Sequence, residues 1–543
     1  MKYILSILLC ALAVSAGAQQ QQFNNDMKLR MANAVIEQFY VEPVNGDTIT
    51  DEAIRAMLKT LDPHSAYSTP AETKEFTEPL EGKFSGIGIQ FNMLEDTVYV
   101  IQTVSGGPSE KVGILPGDRI ISANDTVIAG KKLVNTKVMK VLRGPKGSTV
   151  DLKVKRGPEI IDFTVTRDDI PIYSVDETFM ADPTTGYIRI TRFAEETAKE
   201  VREAIAKLRA QGMQNLIIDL SDNGGGYLGS AFELASEFLP EGTPVVSTAG
   251  RASQPAQYVT EGRGMMPKGR VVVIVNQTSA SASEILSGAL QDNDRAVIVG
   301  RRTFGKGLVQ RPFPFPDGSM IRLTVARYYT PSGRCIQKHY DKGHGEEYQL
   351  DLLNRYTAGE LWHADSIARP DSLKYETLRN HRPVYGGGGI IPDVFVPADT
   401  SYYSVYYRDI VAKGILNRST VSYVDAHRAE LKKQYPTEES YVAHFTVPED
   451  FMSSLIAKAT DAGIEYNEEQ YQRSLPLMTA IIKGLIARDL YENASYFRHI
   501  APLNKDYLEA LRVIHDPSRY NRILLTGEDP SPVQETATPA ATE

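Results

Sequence analysis

The chain has 543 residues, 42% hydrophobic and 23% charged, with a formal net charge of -9. That length predicts several domains, each with its own core, and an acidic balance without a long basic run argues against a nucleic-acid binder. The two cysteines, Cys10 and Cys335, and nine scattered histidines form no HExxH or Cys-pair motif, so no metal centre and no cofactor is expected.

Met1 to Ala18 carries one early lysine, Lys2, then an apolar run ending in Ala16-Gly17-Ala18. This is the pattern of a secretory signal peptide, too short for a membrane span. Cys10 lies inside it, so the mature chain would keep Cys335 alone and no intramolecular disulfide. The expectation is an exported, periplasmic protein, at most peripheral to a membrane. Residues 19–80 read as a small helical region. Ile54, Met57, Leu58 and Leu61 share one helical face, Thr50-Asp51-Glu52 supplies a capping start, and Leu61-Asp62-Pro63-His64-Ser65 breaks the helix. His64, a turn histidine beside Pro63, is read as structural rather than as part of a Ser-His-Asp triad. Residues 83–168 alternate short strands and glycine turns. Gly86 and Gly88, within Phe84 to Ile89, let the backbone turn its N–H groups toward an incoming carboxylate, and the strand that follows offers an edge for peptide addition. Val150, Leu152 and Val154 alternate as in a half-buried strand.

From Pro171 an α/β pattern begins. Gly186 to Ile190 is a strand; Val201, Ala204, Ile205 and Leu208 form a helix stripe that Gly212 ends. Leu216 to Leu220 runs into the loop Asp219-Leu220-Ser221-Asp222-Asn223-Gly224-Gly225-Gly226. Val271 to Val275 is aliphatic throughout, as suits a strand buried on both faces. Asn276 to Glu284 follows, then a helix through Leu290, a strand from Ala296 to Val299, and a loop delivering Lys306. Ligands gather at the C-terminal ends of strands in such sheets. A serine at a helix start has an exposed hydroxyl beside free backbone N–H groups that can stabilise an oxyanion. It needs a base, and no histidine lies between Gly269 and Gln310. Lys306 can serve if burial lowers its pKa by about 3. If 306–310 is extended, Gln310 shares a face with Lys306 and can hold its amine. Ser281 and Glu284 equally make a capping box. Gly300 to Lys306 nearly spells a phosphate loop, but Gly307 stands where a Ser or Thr is needed.

Pro316-Asp317-Gly318-Ser319 is a hairpin turn between Gly307–Phe315 and Met320–Tyr329. Residues 338–381 are polar and read as an insertion, and Gly386 to Gly389 suit close backbone packing. Residues 400–526 are mainly helical, with Met478, Ile481, Ile482, Leu485 and Ile486 as a packing face. Residues 527–543 read as a disordered tail.

Ser281-Ala282-Ser283-Glu284, Phe304-Gly305-Lys306-Gly307 and Gln310 together resemble the core of the carboxyl-terminal processing peptidases, Ser-Lys serine proteases with an inserted PDZ domain. Leu61 to Ser65, Phe84 to Ile89 and Tyr385 to Asp393 resemble segments of the same family, so the resemblance runs from roughly residue 30 to 400. It implies Ser281 as nucleophile, ahead of Ser279 and Ser283, because the family's serine directly precedes the Ala-Ser-Glu triplet. It implies Lys306 as general base and Gln310 as its orienting partner. Gly226, ahead of Gly225, and Ala282 would give the oxyanion-hole N–H groups, and Gly86, Ile87, Gly88 and Ile89 would bind peptide. Ser221 and Gly224 depart from the family, which often has Arg and Pro there.

The implied fold is an α/β catalytic core (ClpP/crotonase-like) over 171–398, with an inserted PDZ-like β domain and helical N- and C-terminal regions. The implied function is an exported serine endopeptidase that captures protein C-termini by its PDZ domain and cleaves through an acyl-enzyme. Its expected partners are loosely folded protein substrates, further copies of itself and an adaptor or activator protein. The alternatives are a peptide-binding scaffold on a degenerate protease fold, and a protease that rests inactive until a peptide or partner binds.

Overall fold

A computed structural model describes residues 25–262, 264–491 and 495–531, in two compact units. The expected signal peptide, residues 1–18, lies outside the described residues, as does residue 532 onward of the expected tail.

The first unit joins the segment up to Lys74 with Gln310–Thr324 and Tyr340–Gln349. Its second helix, Gly46–Lys59, starts four residues before the Thr50 cap read from sequence. Asn45 is the N-cap and accepts from the Thr48 N–H at 3.1 Å. Asn caps at least as well as Thr, and Asp47 in the first turn complements the helix dipole. Asp51 accepts instead from the Tyr67 hydroxyl at 2.6 Å. The Asp62 carboxylate receives the N–H groups of His64 and Ser65, both at 2.9 Å, which forms the turn that stops the helix. His64 Nε2 meets the Tyr348 hydroxyl at 2.8 Å. Ala66–Ser68 then pairs antiparallel with Met320–Arg322.

The second unit holds the rest of the described chain. In it, Ile89–Leu94, Thr97–Thr103, Arg119–Ala123, Thr149–Arg156 and Glu159–Thr166 form an antiparallel sheet in which Ile89–Leu94 is an edge strand. Helix Asn135–Leu142 closes its core through Val138 and Leu142, against Val98, Val100, Ile120, Val150 and Leu152.

A second sheet orders Val175–Asp182, Thr185–Ile190, Asn215–Asp219, Val271–Val275, Val297–Gly300 and Val394–Phe395. All pairs but the first are parallel. The loops after Asp219, Val275 and Gly300 therefore leave the same edge, and this brings the glycine, serine and lysine segments together. A parallel sheet is stable only with both faces covered. Helices Thr197–Ala210, Leu228–Ser236 and Ala282–Asp292 cover one face through Ile205, Leu234 and Leu286. Helices Lys505–His515 and Pro517–Thr526 cover the other through Val513, Ile514 and Ile523. The stretch read as one helical region from 400 to 526 thus divides. Its last helices complete the sheet core, while Tyr406 to Leu490 build a separate helical core that buries Met478, Ile482 and Ile486. The expected free tail also begins later than Gly527, since Asp529 pairs with Arg519 at 2.7 Å.

Burial and the neighbouring Asp176 push the Glu177 carboxyl up to about 9. The folded chain then holds a proton that the unfolded chain releases between 4.5 and about 9, so stability falls as pH rises through that window. Glu177→Gln mimics the protonated form. It should flatten the decline in Tm between about pH 5 and pH 9, and unchanged slopes in wild type and variant would contradict this assignment.

Candidate active site

Three serines lie within five residues, and their surroundings differ. Ser279 is fully buried and donates to the Leu220 carbonyl at 2.7 Å. Ser283 is fully buried and donates to the Asn223 carbonyl at 2.9 Å. Ser281 is partly exposed and stands as N-cap of the buried helix Ala282–Asp292, with φ 57° and ψ -113°. Positive φ at a non-glycine residue costs about 1–3 kcal/mol and is held only where the surroundings over-determine it.

Here two groups do so. The fully buried Glu284 carboxylate accepts the Ser281 N–H at 2.8 Å and the Lys306 N–H at 2.9 Å on one oxygen. Its other oxygen accepts the Gly305 N–H at 2.7 Å and the Thr303 hydroxyl at 2.5 Å. Burial raises this carboxyl above its ordinary value, and the four donors oppose that rise. At the carbonyls of the same two residues, the buried Tyr328 hydroxyl shares its proton between Ser281 at 3.1 Å and Lys306 at 2.7 Å. One carboxylate and one phenol thus tie the serine turn to the lysine loop.

The glycine loop is tied to the same turn. Asn223, fully buried, donates to the Ile190 carbonyl and accepts the Gly225 N–H, both at 2.8 Å. Its own carbonyl accepts the Ala280 N–H at 3.0 Å. Gly225 has φ 101°, and a Cβ there would stand 2.7 Å from Ser281 Cβ and 2.7 Å from the Ala280 carbonyl oxygen. The Gly225 N–H is therefore taken. Among the described residues, the N–H groups of Gly226 and Ala282 have no hydrogen-bond partner. Of the glycine donors named from sequence, the first choice, Gly226, is the one left open.

The lysine loop is braced from a region read as an insertion. Arg355 donates to the carbonyls of Thr303 at 3.0 Å and Arg302 at 2.5 Å, and Glu360 pairs with both Arg302 and Arg355. Within residues 338–381, Arg355 and Glu360 thus act as a buttress. Gly389 packs against Thr303, where a Cβ would lie 2.7 Å from the carbonyl oxygen. The N–H groups from Thr303 to Gly307 all have acceptors, so that segment has none to offer a phosphate. Gln310 lies in strand Leu308–Pro314 and donates its amide to the His64 carbonyl.

At the other expected site, Gly88 has φ 72°, and the carbonyls of Ile87 and Gly88 are held by Ser109 and Val104. Among the described residues the N–H groups of Ile87 and Gly88 make no hydrogen bond. Ile89 opens the edge strand. Two donors beside a free strand edge can take a carboxylate and an extended peptide.

Sequence reasoning found Glu284 only as a helix cap. It missed Tyr328 and Asn223, whose partners lie far off in the chain. Tyr328→Phe removes the bond between the two carbonyls and should destabilise by about 1–3 kcal/mol, with kcat falling and KM little changed. Steady-state kinetics with unchanged kcat would show that the clamp is dispensable.

A model of peptidase family S41 matches residues 184–344, a PDZ-domain model residues 85–167, and a family of unknown function residues 406–492. The chain is similar to the carboxy-terminal processing protease CtpB of Bacillus subtilis, 36% identical over 358 residues, covering 65% of this chain and 73% of that one. It is 34% identical over 332 residues to a probable CtpA-like serine protease of Staphylococcus epidermidis, covering 61% of this chain and 66% of that relative, just under two thirds of its length. Among solved structures, a photosystem II D1 C-terminal processing protease is 30% identical, with 58% of this chain and 84% of that chain covered and a TM-score of 0.34. Among the described residues no helix is long and apolar enough to cross a membrane.

Proposed function

Because the chain belongs to the carboxyl-terminal processing peptidases, serine-type proteases of peptidase family S41, we propose that it captures protein C-termini on its PDZ domain and cuts them through Ser281 and Lys306. The observation that carries this reading is the Ser281 turn. It pairs a strained, partly exposed serine with two open N–H groups and is joined through Glu284 and Tyr328 to the backbone of Lys306.

In this mechanism the Ser281 hydroxyl attacks the scissile carbonyl carbon and its proton passes to the neutral Lys306 amine. The carbonyl oxygen becomes an oxyanion that accepts from the Gly226 and Ala282 N–H groups. Collapse breaks the C–N bond, and Lys306 returns the proton to the leaving amine. Water then attacks the ester, again with Lys306 as base, and frees Ser281. Gln310 orients the lysine amine in this scheme, and no metal or organic cofactor takes part. Substrate enters by its carboxylate at the Ile87 and Gly88 N–H groups, with the Gly86–Ile89 segment as its seat.

The mostly parallel sheet with the Ser281 helix packed behind it fits a ClpP/crotonase-like core. We read the protein as exported; its intact mass after secretion would then match a chain cut after Ala18.

The test is cleavage of a loosely folded protein with an apolar C-terminus by wild type, Ser281→Ala and Lys306→Ala, with a C-terminally amidated copy as control. Both variants should lose at least about 10³-fold in kcat/KM, and the amidated copy should be cut more slowly. Normal cleavage by Ser281→Ala would remove the nucleophile assignment. Equal cleavage of acid and amide would remove the capture step.

A further inference from the structure

A peptide added antiparallel to the edge strand Ile89–Leu94, with its carboxylate at Ile87 and Gly88, runs upstream toward Leu94. That end of the strand does not open directly to solvent. Helix Ile415–Gln434, from the region that a family of unknown function matches, packs there. Its Val421 shares a buried cluster with Leu94, Tyr99 and Ile101. Arg119 pairs with Asp425 at 2.6 Å, and Gln102 donates to the Arg488 carbonyl at 2.6 Å. The helical region is therefore fixed to the strand pair that carries the peptide edge.

Between them lies a cavity of about 190 Å³. Its walls come from Asn92 and Leu94 at the end of the strand, Asn135 at the start of the Asn135–Leu142 helix, and Asn417, Arg418 and Val421 of the helical region. Three carboxamides and one guanidinium give it polar donors. Arg418 folds over Gly414, with its Nη1 2.9 Å from where a Cβ on that glycine would stand. Among the described residues Arg418 makes no ion pair or side-chain hydrogen bond. A solvent-exposed guanidinium without an acid, lining a cavity on the path of an incoming strand, can pair with an acidic side chain from that strand.

We propose that this cavity is a second specificity subsite, built jointly by the PDZ-like domain and the helical region. It takes an Asp or Glu side chain about three to five residues before the captured C-terminal residue, as one-for-one antiparallel pairing from Ile89 to Asn92–Leu94 sets. The proposal rests on the capture reading above. It goes beyond it in giving residues 406–492 a share in substrate choice.

The experiment measures binding of labelled ten-residue peptides to the full chain carrying Ser281→Ala. The peptides have one apolar C-terminus and Glu, Ala or Lys at each of the three positions. A three-residue peptide that stops short of the cavity and an amidated ten-residue peptide complete the set. Glu at one of these positions should tighten binding about fivefold over Ala. Arg418→Ala should abolish that gain, and Arg418→Glu should shift the preference to Lys. The three-residue peptide should bind equally to all three proteins.

A flat Glu/Ala/Lys series, or Arg418 variants that weaken the three-residue peptide as much as the long ones, would overturn the subsite while leaving capture intact. Peptides that bind no better than the amidated control would instead remove capture, and the subsite with it. Arg418 is exposed and its replacements are not expected to unfold the chain; an unchanged Tm in each variant confirms that the comparison is valid.

Discussion

Glu284→Gln should abolish most activity while leaving a folded protein. Wild-type Glu284 accepts four hydrogen bonds, from the N–H groups of Ser281, Gly305 and Lys306 and from the Thr303 hydroxyl. A carboxamide has one accepting oxygen and turns N–H against N–H on the other side. Two of the four donors lose their acceptor in a site that is fully buried. Each lost partner leaves an unsatisfied buried group, so the total is about 2–6 kcal/mol. The damage falls on the two segments whose relative position the reaction needs, and displacements near 1 Å can reduce rates by about 10²-fold. The expected result is therefore a loss of at least about 10²-fold in kcat/KM, a lower Tm and an unchanged far-UV spectrum. Near-normal kinetics with a lower Tm would show that Glu284 is an ordinary helix cap.

Gly225→Ala is expected to be as severe, for a different reason. At φ 101° an alanine is strained by about 1–3 kcal/mol before any contact is counted. Its Cβ would also meet the Ala280 carbonyl oxygen and Ser281 Cβ at 2.7 Å and the Ala282 nitrogen at 2.9 Å. All three atoms belong to the turn that shapes the proposed oxyanion hole, and none is the end of a flexible side chain. Removing one oxyanion donor alone costs about 10²–10³-fold in kcat, and a loss of that size is expected here. Gly224→Ala is the control, because no atom lies within 4 Å of where its Cβ would stand. It should change kcat/KM by less than about twofold. Equal effects from the two substitutions would mean that general loop rigidity, not the approach to Ser281, is what glycine provides.

Local signals made much of this molecule legible in its sequence. The aliphatic run Val271 to Val275 announced a strand buried on both faces, and it is the centre of the sheet. Gly212 ends its helix in a left-handed turn, and Pro316 to Ser319 closes a hairpin. The serine and glycine loops follow strand ends, as parallel topology requires.

What was illegible depends on pairing across long separations. Tyr328 bonds a carbonyl 47 residues earlier, a partnership no local period encodes. Arg355 and Glu360 lie in the polar stretch read as an insertion, and they brace Arg302 and Thr303 from that distance. The helices from Lys505 to Thr526 looked like a continuation of the helical region, and only the sheet's bare second face explains where they go. Asn45 and Thr50 are both competent caps, and propensity alone does not choose between two starts five residues apart.

The most direct test of Ser281 as nucleophile and Lys306 as its base is covalent labelling. The wild-type chain would be treated with a fluorophosphonate, which phosphonylates activated serines, and the adduct mapped by peptide mass spectrometry. The account predicts one adduct, on Ser281, lost in Lys306→Ala and sharply reduced in Glu284→Gln. An adduct on Ser279 or Ser283, or undiminished labelling of Ser281 in Lys306→Ala, would contradict it.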